Sequence, residues 1–228
     1  MSQAVAALIG PNAVIQVAKA LDAVEGRSAS TRIFGEAGIA HYLERPPETM
    51  IAESDVVELH HRLRAGLGER HSASVSWVAG HHTANYLLAN RIPAPVQHLL
   101  RRLPAPLAGR ILLQAISRHA WTFTGSGRFT YSGLKPVHFT IEVCPLCRNA
   151  TSQSPCCTYY AATFERLFRE LVSADAHVIE TECAGMGAAA CRFRIDWALR
   201  PVNRGRGACR TPSSGQGWAS GGAGNGPT

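Results

Sequence analysis

Six of the chain's seven cysteines lie between positions 144 and 191. Thiols at that density can hold a soft metal ion, exchange electrons as a disulfide couple, or sit buried as plain apolar side chains. Twenty-five residues separate Cys157 from Cys183, seven separate Cys183 from Cys191, and Glu180 stands three residues before Cys183. Three thiolates and a carboxylate suit Zn²⁺ in a closed tetrahedral site. Cys183 ends one expected strand and Cys191 opens the next, so a hairpin would bring the two thiols together. The connection from Ala184 to Ala190 contains Gly185 and Gly187, which allow the tight backbone it needs. Cys157 precedes a helix, whose exposed amides and dipole favour a thiolate. Glu180 reaches the same point only if its strand carries a bulge, because simple alternation turns it away. A low-pKa redox pair and buried apolar cysteines stand as alternatives. The spread over three elements favours a structural clamp joining helix to hairpin.

Cys144-Pro145-Leu146-Cys147 is a CxxC knuckle. With Cys156 it suggests a second metal site, a redox couple, or one corner of an iron–sulfur cluster. Cys209 is the seventh cysteine, and an odd count rules out complete internal pairing. The first ten residues lack a basic segment ahead of an apolar run, and no stretch approaches the roughly 18 apolar residues of a spanning helix. A cytoplasmic protein without a transmembrane segment is expected, and in that reducing compartment clustered cysteines are more often ligands or catalytic groups than disulfides.

The elements that must position these groups are readable from periodicity. Val14, Val17, Ala18, Leu21 and Val24 predict a helix ended by Gly26. A second is expected from a Ser30 or Thr31 cap through Leu43, broken by Pro46-Pro47. A third, capped by Ser54 or Asp55, ends near Gly68, and a fourth runs from Val75 to Leu88. Two more follow, about 96–103 and 107–119. From Trp121 to Tyr131 apolar and polar residues alternate, which predicts a strand, and so does Val137 to Val143. Tyr160, Phe164, Leu167, Phe168 and Leu171 give the clearest amphipathic helix. Strands His177–Glu182 and Ala190–Ile195 close the domain. A helical part over 11–120 followed by β-β-α-β-β over 121–197 predicts an α+β fold with an antiparallel sheet, in a single domain of residues 1–200. Residues 201–228 are rich in Gly, Ser, Pro and Ala and read as a disordered tail.

The net charge is +7, but Arg204, Arg206 and Arg210 lie in a tail without acids, which leaves +4 on the rest. No block of like charge marks a nucleic-acid groove, so no nucleic-acid partner is expected. A carboxylate-bearing ligand or an acidic lipid is compatible with the mildly basic surface.

Four segments then carry a resemblance. Trp121-Thr122-Phe123-Thr124-Gly125-Ser126-Gly127, the loop from Cys144 to Arg148, the run from Cys157 to Glu165, and the ending from Glu180 through Gly187 to Cys191-Arg192-Phe193 resemble the vinyl-4-reductase domain family. The likeness runs from about Ile15 to Trp197 and is nearest to members in photosynthetic bacteria. It implies the fold of nitric-oxide sensor and Golgi transport domains, with an apolar ligand pocket between helices and sheet. It also implies a zinc site, because related aromatic-sensing regulators use three cysteines and a glutamate at the positions of Cys157, Glu180, Cys183 and Cys191. Gly187-Ala188 departs from the expected Gly-Asp but removes no ligand.

The resemblance further implies bacteriochlorophyll biosynthesis, with divinyl protochlorophyllide or a related tetrapyrrole as partner. Hydride transfer to its vinyl group needs NADPH or another reductant, yet Gly125-Ser126-Gly127 is followed by neither a third glycine nor a helix. Zn²⁺ carries no electrons. A pigment-binding carrier is therefore favoured over the reductase itself. His119, Trp121, Phe123 and Phe139 are the candidate pocket residues, with His81 and His82 as further imidazoles for a pigment's magnesium. All six are equally expected as ordinary core or surface residues. Other enzymes of the pathway, a homodimer partner and a position at the edge of the photosynthetic membrane complete the expectations.

Overall fold

The computed structural model describes residues 7–197. The expected tail from 201, with Cys209, lies outside the described residues. Strand β1 (Leu8–Ile9) pairs antiparallel with β2 (Ile51–Ala52). A ribbon of two-residue strands is too short to leave a periodic signal. Between its strands lie α1 (Asn12–Val24), α2 (Arg27–Glu36) and α3 (His41–Glu44). Val14, Val17 and Leu21 of α1 are buried, as their spacing requires. The expected second helix is two helices. Gly38, at φ 73°, interrupts it in a conformation that L side chains rarely adopt. No side chain caps α2, which starts at Arg27 with Ser30 buried inside it. Nor do Ser54 and Asp55 cap the next helix: Asp55 accepts a hydrogen bond from the Tyr42 hydroxyl at 2.8 Å.

Helix α4 (Glu53–Asn90) contains the expected third and fourth helices, kinked where Gly68 takes φ 76°. Pro93 and Pro104 precede α5 (Ala94–Arg102) and α6 (Ala105–Arg118). The stretch expected as a strand from Trp121 begins instead with a helical turn, α7 (Trp121–Thr124). The Thr124 hydroxyl reaches both Ala120 O at 3.0 Å and Gly127 O at 3.1 Å. Gly127 then passes so near Glu142 O that a Cβ would sit 2.6 Å from it. Only after this turn does the chain extend as β3 (Arg128–Ser132). The alternation of Trp121 and Phe123 with polar residues is a coincidence of composition.

Strands β4 (Val137–Glu142), β5 (His177–Glu182) and β6 (Cys191–Asp196) complete an antiparallel sheet in the order β3-β4-β6-β5, with α8 (Thr158–Leu171) between β4 and β5 in sequence. This is the expected β-β-α-β-β order in an α+β fold. The β4–β6 register sets Phe139 opposite Phe193 and Ile141 opposite Cys191, all buried. Phe164 of α8 lies 4.1 Å, ring to ring, from Phe139, which lies 4.5 Å from Phe193. The opposite side of α8 lies against α4. Thr163 Oγ1 donates to Gly80 O at 3.2 Å, and a Cβ on Gly80 would collide with Tyr159 O. Helix α8 is thus packed between sheet and α4, and its first residues are fixed in place.

Candidate metal centre

Four chain segments meet at the N-terminal end of α8. Cys157 occupies the cap position, and its backbone N–H donates to Glu180 Oε2 at 2.8 Å. Glu180 gets there through a bulge: it pairs with Phe193, but Glu182 pairs with the adjacent Arg192, so the strand slips by one residue between them. After Cys183 the chain makes a 3-10 turn at Ala184–Met186 and a left-handed Gly187 before Cys191. The Ala184 N–H points to Cys191 Sγ at 3.4 Å. At Gly185 a Cβ would stand 3.1 Å from Cys156 Sγ, so glycine lets this loop close over the thiols.

The donor atoms of Cys157, Glu180, Cys183 and Cys191 all lie within 4.8 Å of one another. Cys157 Sγ and Cys191 Sγ are 3.6 Å apart. Sulfurs on a tetrahedral ion with bonds of about 2.3 Å sit about 3.8 Å apart, so little movement is required. Glu180 supplies a second sign of fit. Its Oε2 holds the Cys157 amide, while its Oε1 is buried without a hydrogen-bond partner. A buried carboxylate oxygen of that kind is costly unless a cation or proton satisfies it. These residues therefore form a buried group that could hold a metal.

The CxxC knuckle joins the same cluster and does not build a separate site. Cys144 Sγ is 3.5 Å from Cys157 Sγ, and Cys147 Sγ is 3.3 Å from Cys191 Sγ. Cys156 sits at the rim with its sulfur 3.6 Å from that of Cys183. Val143 and Asn149 flank the knuckle at φ 52° and 58°. For a β-branched valine this is an outlier that costs on the order of 1–3 kcal/mol. Arg148 donates to Val143 O at 2.9 Å and Arg64 to Leu146 O at 2.8 Å, which holds the turn in that shape.

Without a metal the cluster shares its protons unequally. Hydrogen bonds from Cys147 and the other thiols stabilise the Cys183 thiolate and lower its pKa. Hydrogen bonding to Cys144 and its other neighbours, with burial, pushes Cys157 well above the ordinary thiol range. Burial, then the Cys183 charge, pushes Glu180 up to about 9. A metal ion has to displace these protons, so its affinity falls in acid.

A buried ionic group near the knuckle has no sequence signal. Glu53 accepts from Arg148 at 2.7 and 3.0 Å and from the Ser126 hydroxyl at 2.8 Å. Burial raises the pKa of Glu53, but the Arg148 and Ser126 hydrogen bonds outweigh it and leave it lowered. Ninety-five positions separate Glu53 from Arg148, so no local pattern could pair them.

The candidate pocket residues do not gather at one cavity wall. Trp121 is 59% exposed, and His119 is exposed beside it. Phe123 is half-buried, with its ring 5.6 Å from Phe129 and 6.2 Å from Phe164. Phe139 is inside the stack. His81 Nε2 and His82 Nδ1 are buried without partners, far along α4.

Comparison with known proteins gives these features a setting. The vinyl-4-reductase domain model matches residues 137–196, the span from β4 to β6 that carries the whole cluster. The chain is 41% identical over 192 residues to the bacteriochlorophyll synthase 23 kDa chain of Cereibacter sphaeroides, covering 84% of this chain and 92% of that one. It is 40% identical over 185 residues to the protein of the same name from Rhodobacter capsulatus, covering 81% and 85%. Among solved structures, an Fe(II) unliganded H-NOX protein from K. algicida superposes with a TM-score of 0.54 at 10% identity, over 84% of this chain and 98% of that one. At the level of fold, the expected likeness to nitric-oxide sensor domains is met.

Proposed function

Since the chain belongs to the vinyl-4-reductase domain family, in the branch of the bacteriochlorophyll synthase 23 kDa chains, we propose that it works in bacteriochlorophyll biosynthesis as a metal-stabilised module that binds a tetrapyrrole. The bound pigment is divinyl protochlorophyllide or a close relative, held for reduction of its vinyl group by a partner enzyme of the pathway. The observation that carries this reading is the 41% identity over 92% of the relative's length, which includes the cysteine region. Cys157, Glu180, Cys183 and Cys191 hold Zn²⁺, which supplies cross-linking and charge neutralisation. Four protein ligands leave it no open position for substrate, so the pigment binds elsewhere.

The exposed indole of Trp121 and the half-buried Phe123 behind it mark the edge where a flat apolar ring system enters, with His119 beside them as an imidazole for magnesium. Phe139 and Phe164 form the floor of that path. Among the described residues no helix is long and apolar enough to cross a membrane, so a place at the photosynthetic membrane would be peripheral.

Titration of the purified protein with divinyl protochlorophyllide, with and without NADPH, tests this reading. Saturable binding without turnover supports the carrier. Reduction of the vinyl group by the isolated chain replaces the carrier with the reductase. Failure to bind any tetrapyrrole overturns both.

A further inference from the structure

We propose that the cysteine end holds two metal ions in a thiolate-bridged pair, the second coordinated by Cys144, Cys147, Cys157 and Cys191. This rests on the reading of Cys157, Glu180, Cys183 and Cys191 as a zinc site. Each of the two sets has all its donor atoms within 4.8 Å of one another, and the sets share Cys157 and Cys191. The shared sulfurs are 3.6 Å apart, near the edge of a tetrahedron about an ion of thiolate bond length. A thiolate sulfur keeps lone pairs for more than one ion, so Cys157 and Cys191 can each bridge. Two ions across that edge would stand about 3 Å apart, given bonds of about 2.3 Å.

Coordination number makes the case. One tetrahedral ion uses four donors and leaves Cys144 and Cys147 over, both 2% exposed and both facing the cluster. A second ion uses them, and the two thiolates it brings cancel its two charges. The net charge of the buried centre does not grow, so its burial costs no more on that account. The knuckle is shaped for this role. Two cysteines spaced by two residues reach one ion from a single turn. Left-handed Val143 and Asn149, with the Arg64 and Arg148 hydrogen bonds, point both sulfurs inward. Sulfur separations of 3.3–3.6 Å leave room for single ions but not for the inorganic sulfides of an iron–sulfur cluster. They are also far from the roughly 2.05 Å of a disulfide. Cys156, at the rim beside Cys183, is left as a free thiol.

Metal analysis by native mass spectrometry of the intact chain, purified anaerobically, tests the pair. Two zinc ions per wild-type chain are expected, one in the C144A/C147A double variant, and two in C156A. Cadmium-exchanged wild type, which needs no variant to fold, should give two ¹¹³Cd resonances coupled through the bridging thiolates. One ion per wild-type chain, unaffected by C144A/C147A but lost in C183S, overturns the second ion and leaves the first. Acid-labile sulfide matching bound iron, or a disulfide at Cys144 or Cys147, also overturns it. A metal-free, fully folded wild type overturns the zinc site itself.

Discussion

The same three elements are fastened to each other twice, by opposite chemistries. On β6, Cys191 belongs to the thiol cluster, and Phe193, two residues on, belongs to the aromatic stack. On α8, Cys157 and Phe164 divide in the same way two turns apart. On β4, Phe139 faces the stack, and the strand runs out toward Cys144. The stack is apolar, dry and self-sufficient, because ring packing and burial depend on nothing outside the chain. The thiol end is a set of polar and ionisable groups, incompletely satisfied, whose cohesion waits on an ion. One end is stabilised by composition alone, while the other links folding to metal supply.

Removing the ion should separate the two ends most sharply. In Cys183→Ser, or after exhaustive chelation, zinc content falls and the Tm drops by more than about 10 °C, since structural zinc binding is worth several kcal/mol of folding and each kcal/mol moves Tm by about 2–4 °C in a domain of this size. Amide exchange should quicken in β5, β6 and the first turn of α8 before it does around Phe139. Equal loosening of both ends would erase the distinction drawn here.

The converse variant comes next. Phe139→Ala should cost about 3–5 kcal/mol by leaving a cavity under Phe164 and Phe193. Zinc per folded chain should not change. Loss of metal from a folded Phe139→Ala protein would show that the stack, not the thiols, sets the donor geometry.

Smaller effects come from the groups around both ends. Arg148→Ala strands the buried Glu53 carboxylate and should cost about 3 kcal/mol in chemical denaturation, with the knuckle loosened because Val143 O loses its donor. Glu53→Gln, which keeps the shape without the charge, should cost less. The pH effect is the mildest. Burial, then the Arg64 charge, lowers the His60 pKa to about 3 from 6.5. Between those values the unfolded chain binds a proton that the folded chain does not, so stability falls as pH drops through that window. Glu53, lowered by its partners, adds acid loss of the same sign. His60→Gln should flatten the slope between about pH 6.5 and 3 without altering metal content at neutral pH.

How much is legible in the sequence follows the same division. Periodicity locates α8, β5 and β6 almost to the residue, because each is a long, regular element with one buried face. The bulge at Glu180 is required by the spacing of the donors, and the strand has it. The spacing does not reveal that Cys144 and Cys147 enter the same cluster. That depends on Ile141 lying opposite Cys191, a register between strands some fifty residues apart. Trp121 misleads because four residues of alternation weigh less than one threonine hydroxyl and two glycines that demand a turn. The split at Gly38 is hidden because a lone glycine is tolerated inside many helices, and only the backbone angle shows that this one ends its helix.

X-ray absorption at the zinc edge, on protein purified without added metal, tests the central claim most directly. A centre built from Cys157, Glu180, Cys183 and Cys191, with or without the second ion, requires a first shell dominated by sulfur at about 2.3 Å with an oxygen at about 2.0–2.2 Å. A shell of nitrogen and oxygen alone, or a folded protein with no metal edge at all, would contradict it.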